Sequence, residues 1–181
     1  MAELTFAEIS KLLKYDPETG KLFWLPRPVE MFPGSPHGSP DAIARMWNKR
    51  FAGKEALTAT MAKGYRSGNL LKKLYLAHRV IWILATGSWP EHHIDHINGN
   101  PGDNRIENLR DVSRFGNMRN TRIHKRNTSG HSGIRWDVRR EKWVVFIGSK
   151  YIGGFQEKSD AIAARKMAEK DHGYHENHGR N

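Results

Sequence analysis

Cysteine is absent from the 181 residues. That excludes a disulfide framework, a thiol nucleophile and any Cys-ligated zinc site, and it fits a reducing compartment. Long apolar runs are lacking as well. The longest, Val80 to Ala85, falls far short of the roughly 20 residues needed to span a bilayer. The opening MAELTFAEISKLLKYD has no basic start followed by an apolar stretch, so no secretory signal is expected there. Hydrophobic residues make up only 38%, fewer than in an ordinary globular chain. Small modules that gain stability from a partner are therefore expected rather than one large core. Negative charge is scarce: 19 Asp plus Glu stand against 30 Lys plus Arg, a formal net charge of +11. Such an excess points to an anionic partner, nucleic acid first, and says nothing about catalysis.

The length fits one domain or two small ones. LTFAEISKLL reads as a short helix, DPETG as a turn, and Lys21 to Trp24 as a strand. MFPGSPHGSP is dense in Pro, Gly and Ser and is expected to be a loop. A helix is predicted over DAIARMWNKRF with Asp41 as its cap. Short strands are predicted around 55–60, 64–70 and 72–76, followed by a helix from His78 that Gly87 ends. After Trp89-Pro90 the composition turns polar. Residues 91–120 are rich in Asn, Asp and Arg, and fold only if their side chains bond to each other or to a metal. Residues 121–132 read as a basic linker. Beyond them GIRWDVR, KWVVFIG and YIGGF read as strands, and SDAIAARKMAEKDHG as a helix capped by Ser159 and ended by Gly173. Residues 121–181 hold 13 Lys plus Arg and 7 Asp plus Glu, net +6, so both parts of the chain are positive.

The chemistry lies in the polar centre. Asp95 and His96 are adjacent, with Ile94 and Ile97 on either side. In a regular strand their side chains point to opposite faces and one is buried, whereas a bulge brings both to one site. A carboxylate and an amide oxygen together hold a hard divalent cation. An imidazole beside them is suited to taking a proton from an attacking water near neutral pH. Metal, base and basic surface together describe phosphodiester hydrolysis. Read singly, Asp95 and His96 are equally turn residues that solvate a loop. His92 and His93 lack the Cys or spaced His partners of a zinc site.

The stretch HRVIW…DHINGNPGDNRIENLRDVSRFGNMRN resembles the HNH endonuclease family, in the cysteine-free branch found among phage and intron homing endonucleases. That resemblance implies a ββα-metal fold, two strands and a helix around one divalent ion. Asp95 matches the metal-ligand aspartate, His96 the histidine that activates water, and Asn108 the central asparagine that braces the loop and helps hold the histidine. Asn117 matches the metal-binding residue on the helix. Asn104, in DNR, reads as a loop brace, with contact with the site as the alternative, and His78 as a buried, hydrogen-bonded histidine. Arg79, Arg110, Arg114 and Arg119 are candidates for the DNA backbone. The two CxxC pairs of the better-known branch are missing, so no structural zinc is expected.

Residues 129–173 resemble the Apetala-type DNA-binding domain of plant ethylene-response transcription factors, which is also found fused to phage HNH enzymes. The resemblance implies a three-stranded antiparallel sheet in the major groove with a helix behind it. Arg135, Arg139, Lys142 and Trp143 fall on the stretch whose counterparts contact DNA, although Trp143 is equally a core residue. Gly148 stands where an arginine often does in the plant pattern.

The fold expected is α+β, a ββα-metal nuclease core followed by a small three-stranded sheet on one helix. Residues 1–77 form an N-terminal leader, 78–122 the nuclease core, 123–132 a linker, 133–175 the Apetala-type domain and 176–181 a disordered tail. The expected function is a metal-dependent, site-specific DNA endonuclease of homing type, using Mg²⁺ or Mn²⁺ and leaving 5′-phosphate and 3′-hydroxyl ends. The alternatives are an inactive sequence-specific DNA-binding protein and a structure-specific nuclease. Double-stranded DNA is the expected partner, no membrane is involved, and the protein is a monomer or weak dimer. If phage-encoded, it acts in the cytoplasm of the bacterial host.

Overall fold

Local sequence signals set the first elements. Thr5 and Glu8 close a capping box, with the Thr5 N–H donating to Glu8 Oε2 at 2.7 Å and the Glu8 N–H to Thr5 Oγ1 at 3.3 Å. This starts helix α1 (Phe6–Ser10). Strands β1 (Leu13–Asp16) and β2 (Lys21–Trp24) follow as an antiparallel pair, with Leu13 opposite Trp24, and β3 (Glu55–Ala56) adds to β2. Between them runs α2 (Pro40–Phe51). Its cap is Ser39, two positions before the expected Asp41, which lies in the first turn, because Pro40 has no N–H to satisfy and suits the first helical position. The protein is described here from a computed structural model, which covers residues 3–34, 38–113, 123 and 127–174.

A second sheet has the order β4 (Ala59–Thr60), β5 (Arg66–Leu70), β6 (Lys73–Leu76). Helix α3 (Ala77–Thr86) follows and ends at Gly87, whose φ of 84° is the left-handed conformation glycine adopts without penalty. Strands β7 (His93–His96) and β8 (Leu109–Val112) pair as a two-stranded ribbon. The helix expected after β8 would carry Asn117, Arg114 and Arg119, and these lie outside the described residues.

The chain forms two compact units, Met1–Asp111 and Val112–Asn181. In the first, one core joins Ile9, Leu12, Leu13 and Leu22 to Leu70, Val80, Ile81, Ile83, Ile94 and Leu109. Residues 1–77 therefore do not stand apart as a leader: the short polar ribbon β7–β8 has few apolar residues, and the elements before it complete its core.

In the second unit the sheet has the order β11 (Lys150–Phe155), β10 (Lys142–Ile147), β9 (Ile134–Asp137), all antiparallel. Helix α4 (Lys158–Asp171) packs on it through a small core of Ile134, Val145 and Ala161. Ser159 is not its cap, since the helix starts one residue earlier, with Glu157 at the cap position. Arg165 is buried and structural, donating to the Phe146 carbonyl and, at 2.8 Å, to Glu169 Oε1. No helix among the described residues is long and apolar enough to cross a membrane.

Candidate active site

The ribbon β7–β8 carries Asp95 and His96 at the end of its first strand, where the chain leaves the ladder. Alternation along β7 puts Ile94 and His96 on the buried side, at 8% and 4% exposure, and turns Asp95 to the other. No bulge is needed. The Ile97 N–H donates to the Asn108 carbonyl at 2.9 Å, closing the ends of the intervening loop.

That loop is braced by its own amides. Buried Asn108 accepts from the Asn98 N–H at 2.9 Å and donates its Nδ2 to the Asp103 carbonyl at 2.8 Å. Asn98 Nδ2 reaches Asp103 Oδ2 at 2.8 Å. Arg105 grips the same carboxylate from Nε at 2.9 Å and Nη2 at 2.8 Å. This bonding holds the Asp103 carboxyl well below the usual carboxylate range. Asn108 thus ties the start of the loop, at Asn98, to its middle, at Asp103, through backbone groups.

His96 Nε2 lies 2.9 Å from Asn104 Oδ1, and both residues are buried. An amide oxygen can only accept, so with this amide orientation Nε2 carries the ring proton and the lone pair is on Nδ1. His78, from α3, meets the His96 ring edge-on at 5.3 Å between centroids, and Tyr65 lies 5.8 Å from His96 and 5.4 Å from His78. His78 is buried as expected but not hydrogen-bonded through Nδ1, which has no partner. Burial, then the neighbouring His96 and Arg79, pushes its pKa down to about 4, so it is neutral at physiological pH. Nothing in the sequence marks Tyr65 as part of this cluster.

Asp95 is engaged by Arg110, whose Nε and Nη2 both reach Oδ2, at 3.0 and 2.8 Å. Arg110, expected on the DNA backbone, is here drawn onto the carboxylate across the ribbon, the shortest route to neutralise a partly buried anion. Asp95 offers the kind of carboxylate a hard divalent ion takes, but its Oδ2 is held by Arg110, and among the described residues no three His, Asp or Glu side chains gather as a metal cluster. Asn117, the second expected ligand, lies outside the described residues, as do Arg114 and Arg119. Arg79 donates to the His92 carbonyl at 3.3 Å and lies 5.7 Å from the Trp89 ring centroid. Asp111 receives the N–H groups of Glu91 and His92 at 2.7 and 3.0 Å, fixing the chain's entry into β7.

In the second unit, pairing sorts the other candidates. Trp143 lies opposite Trp136 and two residues from Val145, so it takes the helix side, with the Lys158 ammonium 5.3 Å from its ring. Partly buried, it packs against the small core of this unit. Arg135, opposite Val144, and Lys142, opposite Asp137, share the other side. Arg139 is exposed in the turn that Asp137 Oδ1 caps by accepting its N–H at 3.1 Å.

Comparison with known proteins bears on the ribbon and its flanks. The chain is 40% identical over 76 residues to Protein 3.8 of Escherichia phage T7, a match covering 40% of this chain and 63% of that protein. The chain therefore spans less than two thirds of the length of this relative. No solved structure matches it significantly. A family model described as HNH endonuclease matches residues 75–119, the stretch that holds Asp95, His96, Asn104, Asn108 and Asn117, so this part of the chain is similar to an HNH endonuclease domain.

Proposed function

We propose that the protein is a metal-dependent, site-specific endonuclease of homing type acting on double-stranded DNA. The observation that carries this reading is buried His96, held by Asn104 through Nε2, at the end of the strand that also carries Asp95. Asp95 and Asn117 would hold Mg²⁺ or Mn²⁺, which when bound supplies positive charge to the scissile phosphate and the leaving oxygen. His96 Nδ1 takes a proton from water as its oxygen bonds to phosphorus and the P–O3′ bond breaks. The products are a 5′-phosphate and a 3′-hydroxyl, the latter after the departing oxygen gains a proton. Asn104 keeps the ring in the tautomer this requires, and the neutral His78 beside it adds no charge that would oppose His96 becoming cationic. Arg135, Lys142 and Arg139 on the Apetala-type module would place the duplex through phosphate and base-edge contacts.

The test uses supercoiled DNA carrying the gene's own genomic neighbourhood, incubated with Mg²⁺, Mn²⁺ or EDTA. Conversion to nicked or linear circles that requires metal, and that His96→Ala loses by a factor of about 10² to 10⁴, is expected. A second reading, a DNA-binding protein without cleavage, draws on the Arg110–Asp95 ion pair, which neutralises the expected metal ligand. Retardation of the same DNA without cleavage in any metal would favour it.

A further inference from the structure

Among the described residues Arg27 has no acidic partner within ion-pair distance. Its guanidinium carbon lies 4.0 Å from the Trp47 ring centroid and 5.0 Å from that of Trp24. Its Nε is buried without a partner, and desolvation is the sole influence on its titration. The backbone beneath it is fixed from α2: Asn48 Oδ1 accepts the Arg27 N–H at 2.8 Å, and Asn48 Nδ2 donates to the Arg27 carbonyl at 2.9 Å. The side chain lines a groove of about 390 Å³ walled by Trp24, Phe32 and Trp47 and rimmed by Leu71 and Lys72.

The rim is strained. Leu71 and Lys72 form the two-residue turn between β5 and β6, flanked by the Leu70–Lys73 pair, with φ of 47° and 71°. A turn with both central residues at positive φ favours Asn-Gly, so Leu and Lys are poor choices for the fold. Strain of this kind is retained where surrounding structure holds it and often sits at ligand clamps. Here it presents an exposed ammonium and a half-exposed leucine to the groove.

We propose that this groove binds one unstacked nucleotide of a DNA strand, its base laid against Arg27 and the adjoining rings and its phosphate held by Lys72. Flat cations and aromatic faces stack bases with little sequence preference, and a phosphate supplies the anion that Arg27 and Lys72 lack. The site shares its nucleic-acid ligand with the nuclease reading but none of its chemistry.

The test uses the full chain in EDTA, where no bond is cut, so failure of the nuclease reading leaves it intact. A labelled oligothymidylate is titrated by anisotropy, with tryptophan fluorescence read in parallel. Binding quenches tryptophan, and Arg27→Lys, which keeps the charge but loses the plane, weakens it at least about five-fold. The paired change Leu71→Asn and Lys72→Gly relaxes the turn, so it raises the thermal midpoint while weakening the strand. Three results would overturn the proposal: wild-type affinity in Arg27→Lys, a stabilised turn variant with unchanged affinity, or an equal loss for heparin, which brings charge without bases.

Discussion

At the residue scale Asn104 Oδ1 lies 2.9 Å from His96 Nε2 and favours the tautomer with the lone pair on Nδ1, on which the proposed mechanism depends. Asn104→Leu removes the acceptor while filling similar space, and the ring loses its fixed orientation. Single-turnover cleavage is expected to slow by about 10²-fold with little change in DNA affinity, the usual cost of a misplaced catalytic group. His78 supplies a different prediction. Its folded pKa near 4 lies below the ordinary 6.5, so the unfolded chain takes up the proton first. Its stabilising contribution is full above about pH 6.5 and is lost as pH falls toward 4. Between about pH 7.5 and about pH 5, the wild type should lose about 2 kcal/mol more stability than His78→Phe, measured by urea unfolding. Equal losses in the two proteins would mean His78 is not kept neutral by the fold.

Elements far apart in sequence hold the 97–108 loop in place. Gly20, in the turn between β1 and β2 with φ of 69°, lies so close to the loop that a Cβ would sit 2.6 Å from the Arg105 nitrogen and 2.8 Å from the Asn104 carbonyl carbon. Gly20→Ala should cost more than about 1 kcal/mol from the backbone conformation alone. It should also slow cleavage, because relief of the clash moves Asn104; unchanged cleavage in the folded variant would separate turn from site. From β1, the Tyr15 hydroxyl accepts the Ile106 N–H at 2.9 Å. Tyr15→Phe leaves that N–H without its partner, and a stability loss of about 1–3 kcal/mol is expected in denaturant titration.

For the whole molecule the governing quantity is the net charge of +11. DNA affinity should fall steeply with salt, because each neutralised phosphate releases counterions. If Arg135 and Lys142 touch the backbone, Arg135→Ala and Lys142→Ala should each flatten the plot of log affinity against log salt by about 0.9. An unchanged slope in both would take their side of the sheet out of the interface. Trp143→Phe, on the helix side, should lower stability and leave the slope as it is.

Much was legible from sequence because it depends on neighbours along the chain. The Pro/Gly/Ser loop before α2, the glycine that ends α3, the alternation that defines the last three strands, and the spacing of Asp95, His96, Asn108 and Asn117 are local patterns of turn chemistry, periodicity and motif. Tertiary structure decided what depends on residues meeting from afar. That β8 lays Arg110 on Asp95 is not legible from their spacing along the chain. Trp143 could face either way until its pairing with Trp136 fixed its side. Asn104 became the partner of His96, and residues 1–77 part of the same core as β7 and β8, only when the chain closed on itself. Hydrogen bonds and ion pairs are short-ranged in space but not in sequence, so a motif names the reacting groups while the fold selects the atoms that hold them.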